Sequence, residues 1–246
     1  MKVFVIIPAA GLGTRMAAGK RTGQAPSKQF TEIGGTPILI HTLRKFARHQ
    51  AISEISLALR KQEGDRFKAR LAKENFKIPV RIVEGGDNRQ QSVANALAAI
   101  SGDAQDVVLV HDAVRPFVDP EIITSVIEAA EKHGAAIAGI PASDTIKQVD
   151  RTAEGAIITA TIPRERLVLA QTPQGFRLGI LKKAFDEATR DAFTGTDEAS
   201  LVERSGHDVA VVMGSQRNIK ITTPADLQLA EFYLEQEAHD RESLAG

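Results

Sequence analysis

The chain has 246 residues, with 31 Lys plus Arg against 31 Asp plus Glu, and this even balance leaves no overall basic field to recruit nucleic acid. Cysteine is absent, which excludes disulfides, thiolate catalysis and cysteine-ligated zinc. Apolar residues make up 43% and charged residues 25%, the balance of a globular chain with a substantial core.

From the N-terminus, the apolar run Val3–Ile7 is stopped by Pro8. It is shorter than the ~7–15-residue apolar region of a signal peptide, and no run reaches the ~20 residues of a membrane span. The expectation is a cytoplasmic protein without a membrane partner. Val3–Ile7, Ile55–Leu59, Val80–Val83, Val107–Val110, Ala135–Ile140 and Val209–Met213 read as strands. They carry few alternating polar residues, as strands buried on both faces of a mostly parallel sheet do. Helical patterns lie between them at Pro37–Arg48, Asp65–Lys73, Gln90–Ile100, Pro120–Lys132, Leu178–Arg190, Asp197–Ser205 and Pro224–Glu237. Asp119-Pro120 and Thr223-Pro224 put Pro at the first helical position. The order implies a layered α/β sandwich with right-handed crossovers. Between Asp144 and Thr161, two runs of strand character flank the polar stretch Asp150–Gly155, which predicts a β-hairpin arm inserted at about 144–161 into a single domain over residues 1–246. The polar C-terminal stretch Glu235–Gly246 is expected to fray.

The first strand runs into Pro8-Ala9-Ala10-Gly11-Leu12-Gly13-Thr14-Arg15-Met16. Small residues after a strand let backbone amides approach a phosphate, and Arg15 adds a charge that can grip phosphate oxygens in pairs. Two familiar alternatives fail. A dinucleotide fingerprint needs a small residue where Met16 stands, and a P-loop needs Ser or Thr after Gly19-Lys20, where Arg21 stands.

This loop, followed by Pro26-Ser27-Lys28-Gln29-Phe30, resembles the opening of the 2-C-methyl-D-erythritol 4-phosphate cytidylyltransferases. The resemblance continues in order through Gly85-Gly86-Asp87-Asn88-Arg89 with Ser92, His111-Asp112-Ala113-Val114-Arg115-Pro116 and Asp144-Thr145-Ile146-Lys147. It ends with Arg164, Gln171-Thr172-Pro173-Gln174, Thr196-Asp197-Glu198-Ala199-Ser200 and Asn218-Ile219-Lys220. The chain departs from the family's usual pattern at Ser27, which separates Pro26 from Lys28, and in the long polar stretch Ala17–Ala25. The resemblance implies a Rossmann-like nucleotidyltransferase sandwich. It also implies transfer of CMP from CTP to a small sugar-alcohol phosphate, with magnesium held mainly by the CTP phosphates rather than by protein ligands.

The resemblance carries residue roles as well. Arg15 and Lys28 are the implied stabilisers of charge that builds on the α-phosphate and on the leaving pyrophosphate. Ala9, Ala10, Gly86, Asp87 and Ser92 correspond to the family's cytosine pocket, and Pro8, Gly11, Gly13, Asp112 and Ala113 complete the nucleotide-binding set. Arg164 and Lys220 are the implied pair that positions the acceptor phosphate, with Thr145 and Thr172 beside them. Arg115 reads as an acceptor or nucleotide contact. Asp112 can hold the ribose, the metal or the acceptor, with acceptor and metal ranked first. Asp87 or Asn88 can also cap the helix that begins near Gln90. His111 reads as a packed, hydrogen-bonded histidine, because a phosphate monoester has a second pKa of about 6 and needs no base. The resemblance also implies a homodimer joined through the arm.

Three other readings compete. Ribitol 5-phosphate cytidylyltransferases share the His-Asp-Ala-Val-Arg-Pro and Thr-Pro-Gln signatures, but tend to begin Leu-Ala-Gly-Gly where this chain has Pro8-Ala9-Ala10-Gly11. A non-catalytic nucleotide sensor would lack the cations found at Arg15, Lys28, Arg164 and Lys220. A nicotinamide oxidoreductase is weakened by the failed fingerprint.

Overall fold

A computed structural model describes residues 1–11, 27–153 and 155–245, so Gly13 and Arg15 lie outside the described residues. In chain order come β1 (Val3–Pro8), β2 (Glu32–Ile33), β3 (Thr36–Pro37), α1 (Ile38–Ala47), β4 (Ile52–Leu59) and α2 (Lys61–Leu71). Then follow β5 (Val80–Glu84), α3 (Arg89–Ala98), β6 (Val107–Val110), α4 (Pro120–His133), β7 (Ala135–Pro141), β8 (Ile146–Thr152) and β9 (Gly155–Ile162). The chain continues with β10 (Val168–Arg177), α5 (Leu178–Arg190), α6 (Glu198–Arg204), β11 (Ala210–Met213) and α7 (Pro224–Ala245).

Among the described residues, seven strands form one sheet in the order β11-β7-β10-β6-β1-β4-β5. Every neighbouring pair is parallel except those of β10, which runs antiparallel to β6 and β7. Alternate residues of β1 point to opposite faces. Val3, Val5 and Ile7 join Leu43 and Phe46 of α1 and Val126 of α4. Phe4 and Ile6 join Val93 of α3, Leu181 of α5 and Val202 of α6. Helices therefore cover both faces of the central strands, which read as apolar runs because neither face meets water, whereas Val211 and Met213 of the edge strand β11 are exposed.

The polypeptide after β1 turns at Gly34-Gly35 between β2 and β3. Their φ values of 56° and 69° are those of a two-residue hairpin turn, which disfavours any side chain. That hairpin holds Ile33 against α7 in a small third cluster with Phe117 and Ile221.

The sequence pattern placed most elements within a few residues, and the differences have local causes. α2 begins at Lys61 and absorbs Gly64, which is buried against Ile82 and Leu59. α7 continues to Ala245, so fraying from Glu235 is corrected. Lys45 holds Glu237 at 2.7 Å, and Leu227, Tyr233 and Leu234 anchor the first half of the helix. The sequence pattern predicts no strand at β10. Its sequence contains Pro173 and Gly175, which argue against a central strand. Pro173 falls where the register with β7 shifts, between Ala170 and Gln174. Gly175 lets α4 approach, since a Cβ there would lie 2.7 Å from Val126 and 2.9 Å from Leu109.

The arm forms as expected: β8 and β9 pair antiparallel from Ile146↔Ile162 to Thr152↔Gly155, and they make a separate two-stranded sheet. Val149, Ile157 and Ile158 on it are exposed. Among the described residues, no helix is long and apolar enough to cross a membrane.

Candidate active site

β4 and β6 flank β1 on opposite sides: the chain runs outward through β4 and β5 on one side, then crosses back through α3 to β6 on the other. Ligands of open α/β sheets sit at the carboxyl ends of strands at such a point. The structure brings most of the expected residues together there. Pro8, Ala9, Ala10, Gly11, Lys28, Gly86, Asp87, Ser92, Asp112, Ala113 and Lys220 line one pocket. Asp112, Arg115, Thr172 and Lys220 line a second pocket beside it. Asp112, Lys220 and Arg89 belong to both pockets and form the seam between them.

The backbone of the first pocket is fixed from outside. The Ala9 N–H donates to Ala58 O at 2.8 Å. The buried Gln29 amide donates to Ala9 O at 2.6 Å, and Arg60 Nε donates to Ala10 O at 2.8 Å. The N–H and the carbonyl of Ala9 are thus both engaged within the protein, which fixes this stretch of backbone. Across the pocket, Gly86 N donates to Ser92 Oγ at 3.0 Å, and Ser92 Oγ donates to Asn88 O at 2.8 Å. Asn88 caps α3, accepting from Gln91 N at 2.8 Å, which leaves the exposed Asp87 carboxylate on the pocket wall.

Asp112 is the electrostatic centre. It is 7% exposed, with Lys220 Nζ at 3.0 Å, Arg115 Nε at 3.1 Å and Arg89 Nε at 3.7 Å from its carboxylate. Burial alone would raise the Asp112 carboxyl, but Lys220, Arg89 and Arg115 together hold it well below the usual carboxylate range. Its backbone N–H donates to Thr172 Oγ1 at 3.0 Å, tying β6 to β10. Arg115 is largely enclosed. It donates to Asp112 and, at 2.6 Å, to Asn218 O, so it braces the loop carrying Lys220 as well as lining the second pocket. Asn218 in turn donates to Thr172 O at 2.8 Å.

Thr145 and Arg164 line neither pocket of their own chain. Both are exposed near the base of the arm, where Arg164 Nη1 donates to Ser143 O at 2.5 Å. Gln29, Arg60, Arg89, Glu198 and Gln174 form part of the local framework but carried no individual role in the sequence reading. Glu198 meets Arg89 across 109 positions of sequence, a pairing that local pattern does not encode. The only signal was that four of the five stand inside the motifs quoted above. Among the described residues, no group of three His, Asp or Glu side chains could hold a metal ion.

His111 is fully buried, with its ring 4.7 Å from that of Phe46. Nε2 lies 3.0 Å from Arg115 O and donates to it, which leaves Nδ1 buried without a partner among the described residues. Burial, opposed by the bond to Arg115 O, lowers the imidazole from 6.5 to about 4; Asp112, Arg115 and Lys220 are the charges facing it. On acidification the unfolded chain therefore takes up this proton first. The associated stability, about 3 kcal/mol, is present above pH 6.5 and is lost as the pH falls towards 4. Urea midpoints of the parent should fall across that window, and those of His111→Phe should fall less steeply, although His41 and His49 are also lowered by burial and remain in both proteins. An equally steep fall in the variant would assign the acid limb to other groups.

The family model described as "IspD: 2-C-methyl-D-erythritol 4-phosphate cytidylyltransferase" matches residues 3–236. A protein of that description from Acidobacterium capsulatum is 62% identical over 236 residues, covering 96% of this chain and 98% of its own length. One from Solibacter usitatus is 51% identical over 239 residues, covering 97% and 98%. Among solved structures, the 2-C-methyl-D-erythritol 4-phosphate cytidylyltransferase of Francisella tularensis superposes with a TM-score of 0.78 at 35% identity, covering 94% of this chain and 99% of that one. That of Thermus thermophilus gives 0.74 at 36% identity, covering 95% and 98%. With these matches spanning both the sheet and the paired pockets, the chain belongs to the IspD family of 2-C-methyl-D-erythritol 4-phosphate cytidylyltransferases.

Proposed function

We propose that the chain transfers CMP from CTP to 2-C-methyl-D-erythritol 4-phosphate, a step of isoprenoid precursor synthesis, giving 4-diphosphocytidyl-2-C-methyl-D-erythritol and pyrophosphate. The observation that carries this reading is the seam: two pockets meet along Arg89, Asp112 and Lys220, where a nucleotide phosphate and an acceptor phosphate can be brought into line. An oxygen of the acceptor phosphate attacks the α-phosphorus of CTP and forms the new P–O bond. The bond from that phosphorus to the bridging oxygen breaks, and its electron pair leaves with pyrophosphate. Such a reaction gives the protein little covalent work, so positioned cations supply most of the catalysis.

Lys28 meets the triphosphate from the first pocket, together with Arg15, which lies outside the described residues. Lys220 holds the acceptor phosphate and is itself fixed by Asp112. Gly86, Asp87 and Ser92 receive the cytosine. Magnesium enters as part of the substrate, on the triphosphate, and neutralises charge on its oxygens; Asp112 and Asp87 are the pocket carboxylates within the same cleft.

The reading includes a cytoplasmic homodimer. The unpaired arm with its exposed Val149, Ile157 and Ile158 supports a partner, since a two-stranded hairpin is marginal alone. The distance of Thr145 and Arg164 from their own pockets supports their service in a neighbouring site.

The test is magnesium-dependent pyrophosphate release from CTP with each acceptor. Turnover of 2-C-methyl-D-erythritol 4-phosphate is expected well above that of ribitol 5-phosphate. Equal or faster turnover of the ribitol compound would overturn the assignment.

A further inference from the structure

We propose that Arg89 is a further catalytic cation of this reaction, acting at the seam between the nucleotide and acceptor pockets, and that Glu198 is the positioning residue that aims it. The inference rests on the transfer reaction proposed above and adds two residues to it.

Arg89 opens α3, directly after the Gly85–Asn88 turn, and lines both pockets. Nη1 donates to Glu198 Oε1 at 2.7 Å, while Nε stands 3.7 Å from Asp112. A guanidinium has five N–H donors in a rigid fork. Glu198 is its one hydrogen-bond partner among the described residues, and the side chain keeps 31% of its surface open. The group is therefore held at one corner and still has donors for phosphate oxygens.

Glu198 is 1% exposed, and its Oε2 is buried without a partner among the described residues. Burial pushes the Glu198 carboxyl up, and Arg89 is what opposes that push. A buried ion pair is weak evidence of added stability, because desolvating two charges offsets much of their attraction. Its surroundings are nevertheless built to fix geometry. Gln174 donates from Nε2 to Asp197 Oδ2 at 2.7 Å and accepts from Ala199 N at 3.1 Å, bracketing Glu198 on both sides. Gln90, next to Arg89, donates to Phe193 O and accepts from Gly195 N. Asp197 and Ser200 close a capping box at the start of α6. The starts of α3 and α6 are thus clamped together, and what the clamp presents to the seam is the guanidinium. Fixed donors aimed at developing charge act without reorganisation when the charge appears.

The experiment uses the full chain with CTP, magnesium and 2-C-methyl-D-erythritol 4-phosphate. Arg89→Met leaves the buried Glu198 charge unpaired and Glu198→Met takes from the Arg89 guanidinium its nearest carboxylate, and both should lower the thermal midpoint. The double variant removes the pair, so its midpoint should recover. Its kcat should stay at least ~30-fold below the parent, with KM for CTP within about threefold, as expected for an interaction strongest in the transition state. A double variant with kcat restored to within about threefold of the parent would show that the pair is only structural, and would overturn the proposal.

Arg89→Lys keeps the charge opposite Glu198 and is the second test, independent of whether the double variant folds. The readout is the rate ratio of the two diastereomers of CTP carrying sulfur on the α-phosphate. A cation touching that group sets the ratio, so it should shift at least ~5-fold in Arg89→Lys and in Glu198→Gln. An unchanged ratio in both overturns the proposal, because loss of folded protein alone lowers both rates equally. The parent separates the two levels of inference. An inactive parent sinks the transfer reaction itself, whereas an active parent with unaffected variants sinks only this proposal.

Discussion

Lys28→Ala is expected to lower kcat at least ~100-fold, the scale for losing one preorganised transition-state contact. Lys28 opens a short 3-10 turn, Lys28–Phe30, whose neighbours are anchored on every side. Ser27 Oγ donates to Glu63 Oε1 at 2.5 Å, the buried Gln29 holds Ala9 O, and the Phe30 ring lies 5.5 Å from that of Phe67. The backbone under Lys28 is therefore set by its neighbours, and replacing its side chain should remove a charge from the pocket without releasing the turn. The charge it meets grows as pyrophosphate departs, so the KM for CTP should change much less than kcat. Steady-state pyrophosphate release at saturating acceptor measures both. A variant with near-normal kcat would mean that Lys28 does not carry this role, and Lys20 or Arg21 would be examined next.

The same segment shows what a sequence can and cannot convey. Ser27 reads as an interruption of a familiar Pro-Lys-Gln pattern, yet its hydroxyl ties the turn to α2 through a residue 36 positions away. Apolar runs and helix starts carried the layered sheet well, because strands with two covered faces need continuous apolar side chains. β10 is hard to read from the sequence for the converse reason. Its residues Ala170–Gln174 serve the second pocket rather than the core pattern, and their polar groups are satisfied by distant partners such as Ser215 and Asn218. The small residues Pro8, Ala9, Ala10 and Gly11 after the first strand do line the first pocket. The Arg89–Glu198 pair and the bracing by Arg115 are not readable from the sequence, since charge alone does not reveal which carboxylate a guanidinium will find. Arg164 illustrates a further limit: it stands exposed near the arm base and lines neither pocket, and its local sequence pattern does not tell which site it serves.

Mixing two inactive variants should restore activity if the arms complete each other's sites. Within one chain Lys28 lines the first pocket, while Arg164 and Thr145 lie apart from it near the arm base. In a two-fold dimer with exchanged arms, each site would draw Lys28 from one protomer and Arg164 from the other. Homodimers of Lys28→Ala and of Arg164→Ala should then be nearly inactive, because every site carries one lesion. A mixed dimer concentrates both lesions in one site and leaves the other intact. Unfolding the two variants together and refolding them pairs the chains at random, so roughly a quarter of all sites should be whole. Pyrophosphate release should accordingly recover to roughly a quarter of the parent's rate, far above either variant. Refolding each variant alone gives the baseline. If Arg164 instead serves its own chain, every site of a mixed dimer keeps a single lesion and nothing is regained. Activity at the baseline, with mixed dimers confirmed by mass, would therefore rule out the shared site, and Arg164 would have to reach the acceptor by movement of its own arm.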